Sequence, residues 1–139
     1  AERFHPGACC WEQLPPMCRR RSNSAAAAIG GRLYVCAGRG EDVLGLSSLE
    51  RFDPRRGDWE PLPAMSEGRD GASAAVAGGA LYVCGGFNGM RRLRSAERFC
   101  PEAGVWEALP PMSQERFLAA AAVVDGRVYV VGGRGEGNT

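Results

Sequence analysis

Lysine is absent from this chain, and all seventeen of its basic residues are arginine. That removes the phosphate-gripping lysine of a Walker loop, a Schiff-base lysine and a lysine general base. An arginine bias of this kind is also what a GC-rich genome produces. Histidine is nearly absent, with His5 as the one example. A serine–histidine triad would have to use it, and no G-x-S-x-G elbow accompanies it. No set of His, Cys, Asp and Glu shows metal-ligand spacing. Excess charge is missing too: sixteen acids leave a net +1, so no overall field recruits nucleic acid or an anionic membrane. No apolar run reaches spanning length, and no leader pattern is present. The glycine runs "GGRGEG" and "GGFNG" precede no helical pattern, which sets aside a dinucleotide loop. There is no Cys-x-x-Cys pair among the six cysteines. Cys36 and Cys84 lie in apolar runs, where cysteine behaves as a small hydrophobe, so reduced thiols in a cytoplasmic protein are expected.

What the chain does have is a repeat. "ERFHPGACCWEQLPPM" (Glu2 to Met17) returns as "ERFDPRRGDWEPLPAM" (Glu50 to Met65) and as "ERFCPEAGVWEALPPM" (Glu97 to Met112). Trp11, Trp59 and Trp106 are separated by 48 and 47 residues. In step with them, "GRLYVCAG", "GALYVCGG" and "GRVYVVGG" place Tyr34, Tyr82 and Tyr129 seventeen residues after each methionine. A period of this length means stacked or radially arranged units.

Each unit reads as four short strands. "SAAAAI", "ASAAVA" and "LAAAAVV" are small apolar runs that end in Gly-Gly or Asp-Gly, the two-residue hairpin signal. The "LYVC" runs follow, and after a variable loop "SLERF" and "SAERF" alternate apolar and charged residues as a half-buried strand does. In the turn "DPRRGDW", Pro54 suits the early position and Gly57 supplies a positive φ. The fourth strand carries the tryptophan and is expected to stop at Pro61 and Pro63. Strict periodicity assigns the tryptophans and tyrosines to the core between units. The recurrent Glu-Arg pairs at 2–3, 50–51 and 97–98 face solvent or bind a neighbouring loop. Four strands per unit and almost no helix signal make an all-β propeller.

The diglycine after the second strand, the tyrosine before it, the "E-x-F-D-P…W" hairpin and the "LPPM…R" run resemble kelch repeats over essentially the whole chain. The style is most similar to the kelch domains of BTB–kelch proteins. Departures are local: Ala37-Gly38 replaces Gly-Gly, Cys9 stands where Gly57 and Gly104 stand, and Asp53 becomes His5 and Cys100. By the family's strand count a to d, residues 1–17 are strands c and d of one blade. Residues 18–65 and 66–112 are whole blades, and 113–139 are strands a and b of the next. Three blade equivalents do not close a ring, whereas kelch rings usually have about six blades, within the propeller range of 4–8. Either the chain is a piece of a longer one, or two copies form a homodimer. In that homodimer the a–b pair of each (Leu118 to Gly133) joins the c–d pair of the other (Ala1 to Met17).

Repeat scaffolds keep the core periodic and vary the loops of a binding face. The loops after strand b read "RGEDVLGLS", "FNGMRRLRS" and "RGEGNT", and the d-to-a segments read "CRRRSNS", "SEGRDGA" and "SQERFLA". The resemblance implies that both loop types crowd one rim of the channel, where partner peptides dock. Arg21, Arg39, Arg69, Arg116 and Arg134 would ring that rim, with Phe87, Asn88, Met90 and Arg91 adding an apolar and cationic contact. Guanidinium groups favour carboxylates, so an acidic peptide is the expected ligand. The periodic Arg21, Arg69 and Arg116 suit loop braces as well as they suit binding. The resemblance further implies a non-enzymatic protein-recognition module without cofactor, serving a cullin-3 ubiquitin ligase through a BTB segment not present here. An actin-associated kelch scaffold is the nearest alternative. A fragment of a copper-radical oxidase propeller is a more distant one.

Overall fold

The computed structural model describes residues 1–135 of the chain, which contain strands and turns but no helix. Twelve strands follow in order: β1 (Glu2–His5), β2 (Cys10–Gln13), β3 (Ala25–Ile29), β4 (Arg32–Cys36), β5 (Leu49–Asp53), β6 (Asp58–Leu62), β7 (Ser73–Ala77), β8 (Ala80–Cys84), β9 (Ala96–Cys100), β10 (Val105–Leu109), β11 (Ala120–Val124) and β12 (Arg127–Val131). They form two four-stranded antiparallel meanders, β3-β4-β5-β6 and β7-β8-β9-β10, flanked by the hairpins β1-β2 and β11-β12. These are propeller blades in the a-to-d order that the repeat pattern suggests, two complete and two half-built.

Turn chemistry explains the hairpins. Gly30 and Gly31 (φ 57° and 74°), Gly78 and Gly79 (56° and 74°), and Asp125 and Gly126 (49° and 71°) all place two successive residues in the left-handed region. That is the I′ geometry whose twist matches the strands it joins. The departures from glycine leave this geometry intact. Cys9 takes φ 51° where Gly57 and Gly104 take 72° and 68°, and Ala37 takes 61° where Gly85 takes 68°.

Blades stack through the faces of their middle strands. Tyr34, Leu49, Leu81, Val83 and Phe99 belong to one buried cluster, and the rings of Tyr34 and Phe99 meet across the blade boundary at 6.5 Å. The innermost strands β3, β7 and β11 lie side by side, which their alanine-rich sequences permit because small side chains allow close approach. The tryptophans are less buried than their periodicity suggests: Trp59 and Trp106 are half-exposed and Trp11 is 67% exposed. Each packs on the phenylalanine opposite it at 5.2 Å. The indole N–H of Trp59 donates to the Pro15 carbonyl at 2.9 Å, and that of Trp106 to Pro63 at 2.7 Å. Their periodic partner is thus the carbonyl at the end of the preceding blade. Pro61 does not end its strand but lies within β6, opposite Glu50. β6 is the outer edge of its sheet, where proline's missing N–H breaks no ladder.

Candidate binding rim

The antiparallel registers bring two kinds of segment to one end of every blade. Strands a begin and strands b end there, paired as Ala25 with Cys36 and Ser73 with Cys84. Strands c begin and strands d end there as well. Backbone bridges Ser22–Arg39, Asp70–Phe87 and Phe117–Arg134 tie each d-to-a segment to the loop after strand b. Between blades, the Gly38 amide donates to the Arg69 carbonyl and the Gly86 amide to the Arg116 carbonyl, both at 2.7 Å. Residues 19–24, 37–47, 66–71, 85–94, 113–118 and 132–135 therefore share one rim.

The repeated arginines of that rim are not equivalent as binding groups. The Arg21 side chain is fully buried. It donates to the Ala37 carbonyl at 2.8 Å, the Ser48 hydroxyl at 3.0 Å and the Glu50 carboxylate at 2.5 Å. Arg69 repeats this arrangement with the Gly85 and Ser95 carbonyls at 2.9 Å each and Glu97 at 3.0 Å. The same carboxylates also hold backbone amides. Glu50 accepts those of Cys18 and Arg19 at 2.6 and 3.1 Å, and Glu97 accepts that of Ser66 at 3.0 Å. Each Arg–Glu pair therefore staples the d-to-a segment onto strands b and c of its own blade. This corrects the expectation that Arg21 and Arg69 ring the channel mouth as ligand contacts. A cation buried this deeply, with both terminal nitrogens bonded within its own blade, cannot also meet a peptide.

Burial alone would raise the Glu50 carboxyl, but the Arg21 guanidinium and the Cys18 amide outweigh it and hold the pKa below its ordinary 4.5. Because the folded value is depressed, this contribution to stability is complete above the unfolded pKa. It is lost as pH falls through the lower folded value. Chemical denaturation between pH 6 and pH 2 should show stability declining below about pH 4.5. In Glu50→Gln that decline should be shallower, and identical slopes for the two proteins would contradict the assignment.

The remaining rim residues are presented differently. Arg39 is half-exposed, and its guanidinium lies 3.1 Å from Oδ2 of the fully buried Asp70 of the next blade. Asp70 Oδ1 accepts the Asn23 amide at 3.1 Å. Asn88 shapes its loop from within: its oxygen accepts the Met90 and Arg91 amides at 3.0 and 2.9 Å, and its nitrogen donates to Glu67 at 3.0 Å. The turn it makes leaves Met90 88% exposed and Arg91 open to solvent. Phe87 meets Phe117 of the next blade edge-on at 6.2 Å. Arg92, beside Arg91, donates to the Gly135 carbonyl at 2.7 Å and so holds two rim loops together. Arg134 is exposed. Arg116 donates to the Gly132 carbonyl at 2.5 Å, and among the described residues it has no carboxylate partner. Glu136 to Thr139, which complete the "RGEGNT" stretch, lie outside the described residues.

Elsewhere the titratable groups serve the fold. His5 bonds Glu12 across the β1–β2 hairpin at 2.8 Å, beside Arg3. The His5 and Arg3 contacts lower the Glu12 pKa. On the opposite rim Arg32 pairs with Asp53 at 3.0 Å. Burial pushes the Cys36 thiol up to about 12, which leaves no reactive thiolate there. Among the described residues no three His, Cys, Asp or Glu converge closely enough to hold a metal ion, and no helix is long and apolar enough to cross a membrane.

Radial blades joined by short turns, with varied loops gathered on one rim, define a repeat protein built to present a surface. The kelch motif matches twice, at residues 20–66 and 68–113, which is most of the chain. The protein therefore belongs to the kelch-repeat family. No curated protein sequence matches it significantly. Kelch repeats in general mediate protein–protein interaction and are not typically enzymes.

Proposed function

We propose that this rim recognises an acidic peptide segment of a partner protein. The chain then acts as the substrate-recognition part of a cullin-3 ubiquitin ligase adaptor. The observation that carries the reading is the loop from Phe87 to Arg94: it does not repeat, and it projects Met90 and Arg91 into solvent on the rim that also carries Arg134 and Arg39. A methionine adapts to varied apolar side chains, and flanking guanidinium groups pair bidentately with carboxylates. The ligase role is supported by the resemblance of the repeats to those of BTB–kelch proteins, and it is a family analogy.

The test is fluorescence anisotropy with a labelled peptide rich in aspartate and glutamate. Binding to the wild-type chain should weaken with salt. The double variant Arg91→Glu/Arg134→Glu should bind at least about tenfold more weakly, in line with the cost of losing charged contacts. Its melting temperature should be unchanged. No binding by the wild-type chain, or equal binding by the variant, would refute the acidic-peptide reading. Arg39 is unsuitable for this test, since a glutamate there would face the buried Asp70. The ligase assignment has its own check, retention of purified cullin-3 by the full-length protein.

A further inference from the structure

In the two complete blades the loop after strand b hides one leucine and leaves other apolar side chains in water. Leu46 and Leu93 stand at equivalent places. Their amides donate to the Gly38 and Gly86 carbonyls at 2.7 and 2.8 Å, and both side chains are buried. These leucines anchor their loops. Four large apolar residues of the two blades are exposed: Val43 (49%), Leu44 (46%), Met90 (88%) and Val105 (46%). Val105 opens β10 on the opposite rim, whereas the other three lie in these two loops, at positions that do not repeat. The two loop tips nevertheless meet. A Cβ at Gly89 would stand 3.0 Å from the Leu44 carbonyl oxygen and 3.5 Å from the Leu44 Cβ, and Gly89 takes φ 96°. Glycine there lets Val43, Leu44 and Met90 form one ridge across the boundary between the blades. The flanks of the ridge differ in charge. Before Val43, Glu41 pairs with Arg20 at 3.1 Å and Asp42 is exposed. After Met90 comes exposed Arg91, beside a hollow of about 230 Å³ lined by Arg91, Arg92, Arg94 and Ser95 with Glu67 and Glu115. The Glu67 carboxylate is already held by Asn88 and Ser95.

We propose that this ridge seats a bulky apolar side chain of the partner segment, with the segment's carboxylates confined to the Arg91 side. The inference rests on the acidic-peptide reading above and narrows it. The ligand is a short segment with an apolar anchor at one end of an acidic run. Apolar side chains held in water return nothing to the fold, and a cluster of them rimmed by charge marks an interaction site. At interfaces a few desolvated anchors carry most of the binding. Met90 moulds to side chains of different shape, and Leu44 adds a branched contact beside it. On the far flank Asp42 turns a carboxylate away, since like charges across an interface are costly. That asymmetry fixes the direction in which the segment lies. A second copy of the chain fits less well, because a stable dimer uses about 20–30 residues a side and the ridge offers a few side chains.

Fluorescence anisotropy with labelled polyglutamate, and with the same peptide carrying a Leu-Phe pair at either end, tests this on the whole chain. One of the two capped peptides should bind at least about tenfold more tightly than polyglutamate, the return on burying one bulky side chain. Met90→Ser should lose most of that gain at an unchanged melting temperature, because the side chain is 88% exposed. Leu44→Ser/Met90→Ser should lose all of it. Polyglutamate binding with no gain from either cap, or a gain that survives Met90→Ser, would overturn the ridge and leave the acidic-peptide reading standing. Tight binding of a capped peptide without any binding of polyglutamate would keep the ridge and refute that reading. Binding of neither would refute both. Self-association in sedimentation velocity that Met90→Ser abolishes would give the ridge to a second copy and overturn the proposal.

Discussion

Arg69→Ala should cost about 3–5 kcal/mol of stability, the range for removing one member of a buried ion pair. Against a total of roughly 5–15 kcal/mol for a natural domain, that is a large share of the whole. The reason lies in what stays behind. Glu97 is 3% exposed and would be left with only the Ser66 amide as a hydrogen-bond partner. The Gly85 and Ser95 carbonyls would lose the same donor. Urea denaturation of Arg69→Ala, Glu97→Ala and the double variant separates the pair from its surroundings. The double variant should be far less destabilised than the sum of the singles, as neighbours in one network are. Arg116→Ala is the internal comparison: it removes one hydrogen bond to the Gly132 carbonyl and should cost only about 0.5–1.5 kcal/mol. Equal losses at Arg69 and Arg116 would contradict the brace.

Gly68→Ala is the second large effect, expected at about 3 kcal/mol or more. A Cβ at Gly68 would stand 2.1 Å from the Gly45 carbonyl oxygen and 2.8 Å from its carbon. Both are backbone atoms, and no side-chain rotation relieves the clash. Gly45 itself is hemmed in, because its own Cβ position lies 2.8 Å from the Phe87 carbonyl oxygen. Three rim segments therefore meet there backbone to backbone, and prising them apart would displace the Asn88 turn along with the contact. Gly7→Ala serves as the control, since nothing lies within 4 Å of its Cβ position. It should stay within about 0.5 kcal/mol of wild type. A Gly68→Ala protein as stable as that control would mean the rim loops yield far more easily than the structure implies.

The architecture is legible because each blade repeats one instruction: small inner strand, diglycine turn, and a Phe–Trp hairpin. The charged residues are not legible to the same depth. "ERF" looks the same whether its glutamate points to water or into the protein, since a strand with one buried face shows only alternation. The clue is that Arg21, Arg69 and Arg116 recur in phase with Glu2, Glu50 and Glu97. Two opposite charges kept at nearly the same separation suggest a pair, but only the folded d-to-a segment shows them touching. Pro61 misleads for a similar reason: proline ends an inner strand, and nothing local reveals that this strand is an outer edge. Asn88 reads from sequence as part of the surface contact, and its role in shaping that surface depends on a turn of its own making.

The Arg–Glu staple also orders events in time. Arg21 precedes Glu50 by 29 residues and Arg69 precedes Glu97 by 28. At roughly 5–20 residues per second on the ribosome, each d-to-a segment waits about 1.5–6 s for the carboxylate that will hold it. Throughout that interval the segment has an unpaired cation and no anchor on strand c, whereas the a–b hairpin of its own blade can close as soon as it emerges. The blades therefore lock one behind another, each sealed only when its third strand has emerged.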